Sequence, residues 1–107
     1  MNKRIAKKKG LLKIREEELW SLDVTLAKYI LPRLQKYRNM ERMGYPIGLS
    51  DGKEWNEILD KMIYAFEYVV KRDESVVYTD YDEEMKKREK YKEGICLFAK
   101  YFMELWD

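Results

Sequence analysis

The chain predicts an all-α domain, a compact bundle of three main helices preceded by a short one. Two observations carry that prediction. Apolar residues recur at steps of three and four along most of the chain, and two acid-led capping boxes open long periodic segments. A third agrees with them: 39% of residues are charged against 46% hydrophobic, the balance of long helices with solvated faces. With 107 residues the chain has the length of one domain with a core of its own.

The elements follow in order. Residues 1–10 form a basic arm, and residues 11–107 read as a single helical domain. Gly10 separates the arm from a short helical stretch, Leu11–Leu19, whose acids Glu16, Glu17 and Glu18 come late. Ser21 or Asp23 caps a second helix reaching about Arg42, with Leu22, Leu26, Ile30, Leu34 and Tyr37 as its apolar stripe. Pro32 lies inside it, removes a donor and presses on the carbonyl of Lys28, so a kink is expected there. Gly44-Tyr45-Pro46-Ile47-Gly48 has the chemistry of a loop. Asp51-Gly52-Lys53-Glu54 is a capping box that opens a third helix to about Arg72, its core stripe being Trp55, Ile58, Leu59, Met62, Phe66 and Val69. Residues 73–79 are a connector. A second box at Asp80–Glu83 opens a final helix to about Trp106, with a seam of Tyr91, Ile95, Phe98, Phe102 and Leu105. Cys96, beside Ile95, reads as a small apolar residue. Gly94, in mid-helix, costs about 1 kcal/mol relative to alanine; either it lets another backbone approach closely or it is only tolerated.

Composition excludes several kinds of site. There is no histidine, hence neither the commonest general base nor the commonest zinc ligand. One cysteine makes no internal disulfide, which agrees with a reducing compartment, and the cytoplasm is expected. No apolar run is long enough to span a bilayer, and no phosphate-binding glycine loop is present. The net charge of +2 is segregated: residues 1–15 carry seven bases and no acid, which leaves 15 bases against 20 acids elsewhere. Nucleic acid is therefore expected to be met only through residues 3–15. No catalytic residue and no cofactor is predicted, and binding is favoured over catalysis.

Two ionic residues interrupt the second helix's stripe. Asp23 and Arg33 project within about 50° of its centre, which predicts that both are partly buried. Each then either bonds neighbouring structure or lines a polar pocket. In the pocket reading Arg33, Lys28 or Lys36 meets phosphate, while Trp20 or Tyr45 stacks on a base. Fifteen aromatic residues exceed what the stripes use. Tyr64 and Tyr68, four apart and outside the core arc, suit an interface in a homo-oligomer.

Glu54, Glu57 and Asp60 recur every three residues and resemble half of the carboxylate pattern of all-helical nucleoside triphosphate pyrophosphohydrolases. That resemblance implies magnesium-dependent nucleotide hydrolysis as an alternative. The phase opposes it, because Glu57 and Asp60 lie opposite the core stripe, with no clear second acidic helix facing them.

A wider resemblance rests on Trp20-Ser-Leu-Asp23, Pro32-Arg33-Leu34, Gly44-Tyr45-Pro46, Trp55-Asn-Glu-Ile-Leu-Asp-Lys-Met62 and Leu97-Phe-Ala-Lys-Tyr-Phe-Met-Glu-Leu-Trp-Asp107. Over residues 19–107 the chain resembles small helical proteins of tailed bacteriophages and prophages. The resemblance implies a phage setting and carries over no catalytic residue. In that setting the expected role is counter-defence or host takeover by a non-enzymatic binding protein, which sequesters a nucleotide signal or blocks a host immune protein.

Overall fold

The computed structural model describes residues 13–42, 44–74 and 80–106, with the side chains of 73 and 74 left aside. The basic arm up to Leu12 and the connector residues Val76, Val77 and Tyr78 lie outside the described residues. Among the described residues four α-helices follow in order: α1 (Glu17–Trp20), α2 (Leu22–Asn39), α3 (Gly52–Glu74) and α4 (Tyr81–Lys100). A 3₁₀ turn over Phe102–Glu104 follows α4. The fold is an all-α bundle. Among the described residues no helix is long and apolar enough to cross a membrane.

The helix starts follow from capping chemistry. Asp51 accepts the Glu54 backbone N–H at 2.8 Å, and Asp80 accepts that of Glu83 at 2.8 Å. Each bond satisfies a donor that the first helical turn leaves unpaired. The Glu54 carboxylate reaches back one residue further than a capping box requires. It accepts the backbone N–H of Ser50 at 2.9 Å and the Ser50 hydroxyl at 2.5 Å.

Three expected boundaries move. Residues 13–15 are not helical, so α1 is a single turn, tied to α2 by the Thr25 hydroxyl donating to the Glu18 carbonyl at 2.9 Å. Helix α2 stops at Asn39 instead of Arg42, because the Arg42 guanidinium folds back on the helix end. Its Nη1 donates to the carbonyls of Tyr37, Arg38 and Met40, the acceptors a helix terminus leaves unpaired. Its Nη2 donates to the Asn56 side chain and ties that end to α3. Helix α4 gives way at Tyr101 to the 3₁₀ turn, so Phe102 no longer continues the seam and is exposed.

Helix α3 is the centre of the bundle. Trp55, Leu59, Met62 and Ala65 on it are fully buried, and Phe66 nearly so. Helices α2 and α4 both pack on α3, and among the described residues no Cα of α2 comes within 8 Å of a Cα of α4. Gly94 is buried at the α3–α4 crossing, where a Cβ would strike the Lys61 carbonyl oxygen. The close approach anticipated for this glycine is real. Phe66 and Phe98 pack edge to face at 4.9 Å, and Trp55 and Tyr101 at 5.5 Å.

Helix α2 uses only the later part of the stripe that spacing predicted. Leu34 is buried and Ile30 and Tyr37 pack against the core, joined by Ala27 and Leu31, whereas Leu22 and Leu26 are about half exposed. At 100° per residue the packed face lies roughly 60° from the predicted one. Cys96 is likewise exposed and is not a small core residue.

Candidate functional site

The rotation of α2 leaves an apolar groove of about 260 Å³ over α3. Tyr29, Ile30, Leu34 and Tyr37 of α2 form one wall. Phe98 of α4 and Leu105 of the C-terminal turn form the other, with Arg33 the one charged lining residue. The groove persists because the two outer helices are held apart by α3 along their length. They are joined at one end, where the Tyr37 hydroxyl donates to the Trp106 carbonyl at 2.9 Å.

Arg33 is exposed, contrary to the half-buried position its phase predicted. The Arg33 Nη1 donates to the Tyr29 carbonyl at 2.8 Å. The guanidinium then lies 3.7 Å above the Tyr29 ring, a cation–π contact that fixes it at the groove's rim. Helix α2 continues through Pro32 to Asn39. Asp23, the other expected half-buried ion, is also exposed.

The structure does not gather the remaining predicted ligand residues around Arg33. Trp20 precedes α2 and Tyr45 lies in the loop after it, and the 18 residues of α2 span about 27 Å. Lys28 lies about 140° around α2 from Arg33, and Lys36 about 60°. Lys28 and Arg33 therefore do not share a face of α2.

Two of the three acids of the hydrolase pattern are engaged otherwise, and Glu57 is exposed. Glu54 is bonded to Ser50, which holds its carboxyl below the usual carboxylate range. Asp60 pairs with Arg38 of α2 at 2.9 Å. Among the described residues no three metal-ligating side chains converge. The expected interface pair faces inward as well. Tyr68 packs on Tyr91 of α4 and donates to the Glu84 carboxylate at 2.6 Å, and burial there, with that bond, raises its hydroxyl pKa so that it stays a donor. The Lys90 ammonium of α4 covers the Tyr64 ring.

Spacing marked Phe98 and Leu105 as core and gave no sign that they face α2 across a furrow. The signal available was the crowding of apolar residues on α2, which has more than one face can bury. No known protein family, curated protein or solved structure matches the chain.

Proposed function

We propose that this chain is a non-enzymatic binding protein whose groove between α2 and the C-terminal turn receives an apolar or aromatic anchor of a protein partner. The observation that carries the reading is the lining: aromatic and aliphatic side chains throughout, with the single cation Arg33 at the rim. Apolar pockets with one oriented polar group are the usual receptors for the anchor residues of protein interfaces. A nucleotide would present several phosphate oxygens and needs convergent donors, and Lys28 is turned away from Arg33. Of the two ligand classes read from the sequence, a protein is therefore favoured over a nucleotide signal. In the phage setting that the sequence resemblance implies, the partner is a protein of host immunity blocked during counter-defence or takeover.

The test is affinity capture from host lysate with the parent chain and with Ile30→Glu, both checked for helicity by circular dichroism. A prey enriched by the parent and lost with Ile30→Glu supports the groove. If Ile30→Glu does not fold, Arg33→Glu takes its place, since Arg33 is exposed. A prey retained by the groove variant refutes the proposal. So does a nucleotide that raises the melting temperature of the parent by roughly ten degrees or more.

A further inference from the structure

Arg33 stands at the mouth of the groove with its charge uncompensated. Its neighbours three and four residues away on α2 are Tyr29, Ile30, Lys36 and Tyr37, three uncharged groups and one like charge. No acid occurs between Val24 and Arg38. The ion pairs among the described residues are Arg38–Asp60, Lys61–Glu93 and Lys71–Glu67, and none includes Arg33.

The side chain is held in place all the same. Its bond to the Tyr29 carbonyl uses one guanidinium donor of five, and the Tyr29 ring covers one face of the plane. The Nε and Nη2 donors share the opposite edge and carry no hydrogen bond among the described residues. That edge is the fork that takes a carboxylate with two parallel bonds. One turn further on, Arg38 uses the same edge on Asp60, at 2.9 Å from Nε and 3.5 Å from Nη2. Since the Arg33 fork is already positioned, little rotamer freedom is lost when it is filled.

We propose that the partner's apolar anchor is accompanied by a carboxylate: the groove takes an aromatic or branched side chain, and Arg33 takes an Asp or Glu of the same segment. This inference rests on the reading of the groove as a protein-docking site and names the chemistry of what docks. At about 260 Å³ the groove is smaller than the roughly 300–1,000 Å³ of sites that enclose a whole small molecule. One side chain fills it, and the rest of the segment crosses the rim where Arg33 stands. Lys36, the next cation along α2, lies about 60° further round on the solvent side. Both charges oppose a basic segment and select an acidic one.

The test is an NMR titration of the isotope-labelled chain with three forms of one anchor. N-acetyltryptophan has a carboxylate beside the indole, N-acetyltryptophanamide is its neutral amide, and tryptophanamide is a cation. Each is added to about 10 mM, and the amide signals of Ile30, Leu34 and Phe98 are followed. Affinity is expected to fall from acid to neutral amide to cation, the acid binding at least about threefold more tightly than the neutral amide. Arg33→Gln is expected to bring the acid down to the level of the neutral amide. Salt at about 1 M should do the same in the parent by screening the pair. Acid binding no tighter than the neutral amide in the parent overturns the proposal and leaves the groove reading intact. So does a preference for the acid that persists in folded Arg33→Gln. If no form moves a groove signal, the groove reading falls and this proposal with it.

Discussion

Gly94 on α4 sits directly against the backbone carbonyl of Lys61 on α3, so that a Cβ at position 94 would overlap that oxygen and lie 2.8 Å from the Ala65 Cβ. The Lys61–Glu93 ion pair, 2.7 Å long, borders the same crossing. Here the absence of a side chain sets the distance between two helices. Gly94→Ala gains about 1 kcal/mol of helix propensity, but a backbone oxygen cannot swing aside as a side chain does, and overpacking of this kind costs about 1–3 kcal/mol. The net expectation is a lower melting temperature in a thermal scan. An unchanged or higher value would mean that α3 and α4 separate at little cost.

Trp55 is expected to be the most sensitive side chain of the core. It is fully buried and meets Tyr101 edge to face. Trp55→Ala should cost about 3–5 kcal/mol, a large part of the about 5–15 kcal/mol that holds such a domain together. Urea titration of Trp55→Ala beside Trp55→Phe checks this, the phenylalanine variant being expected to keep most of the stability.

Two arginines of similar exposure to sequence reasoning should behave oppositely. Arg33 is exposed and bonds only its own helix, so Arg33→Ala should change stability by less than about 0.5 kcal/mol. Arg42 closes the end of α2 and reaches Asn56, so Arg42→Ala should cost about 1.5–3 kcal/mol. Equal denaturation midpoints for the two variants would contradict these roles.

Glu54 gives a pH dependence of definite sign. Its bonds from Ser50 lower its carboxyl pKa in the folded chain from the ordinary 4.5. The stability it adds is complete above that ordinary value and is lost as pH falls through the lower folded-state value. The parent should therefore be more stable than Glu54→Gln near neutrality, and the two should converge on acidification. Denaturation curves taken at several pH values test it, and a gap that widens toward acid would refute it.

How much of this could be read from the residues differs from helix to helix. Helix α3 obeyed its spacing because it is packed from two sides, so Trp55, Leu59, Met62 and Phe66 are buried as the stripe requires. Helix α2 is packed along one side and has apolar residues on two. Counting leucines averaged the two faces and pointed between them. Small Ala27, which lets α2 settle on α3, weighs little in any hydrophobic count. The exposure of Arg33 follows directly, since the packed face lies farther round α2 from it; Asp23 points toward that face but sits in the first turn of the helix. Tyr64 and Tyr68 were set outside the core arc because α4 covers a flank of α3 that periodicity treats as solvent. The groove was illegible for the same reason: it exists in the space between two helices whose backbones stay apart, and no single helix encodes it.

That separation of α2 from α4 has a consequence for how the chain folds. Each helix–helix interface joins neighbours in sequence, α2 with α3 and α3 with α4. Either hairpin closes only a short loop, and the topology belongs to the fast, locally wired class that reaches its native state in about microseconds to milliseconds. The bond from Tyr37 to Trp106 spans 69 residues and is the kind of contact that forms last. Folding is thus expected to proceed as two hairpins sharing one strut, and the groove takes shape when the chain's far end returns to meet α2.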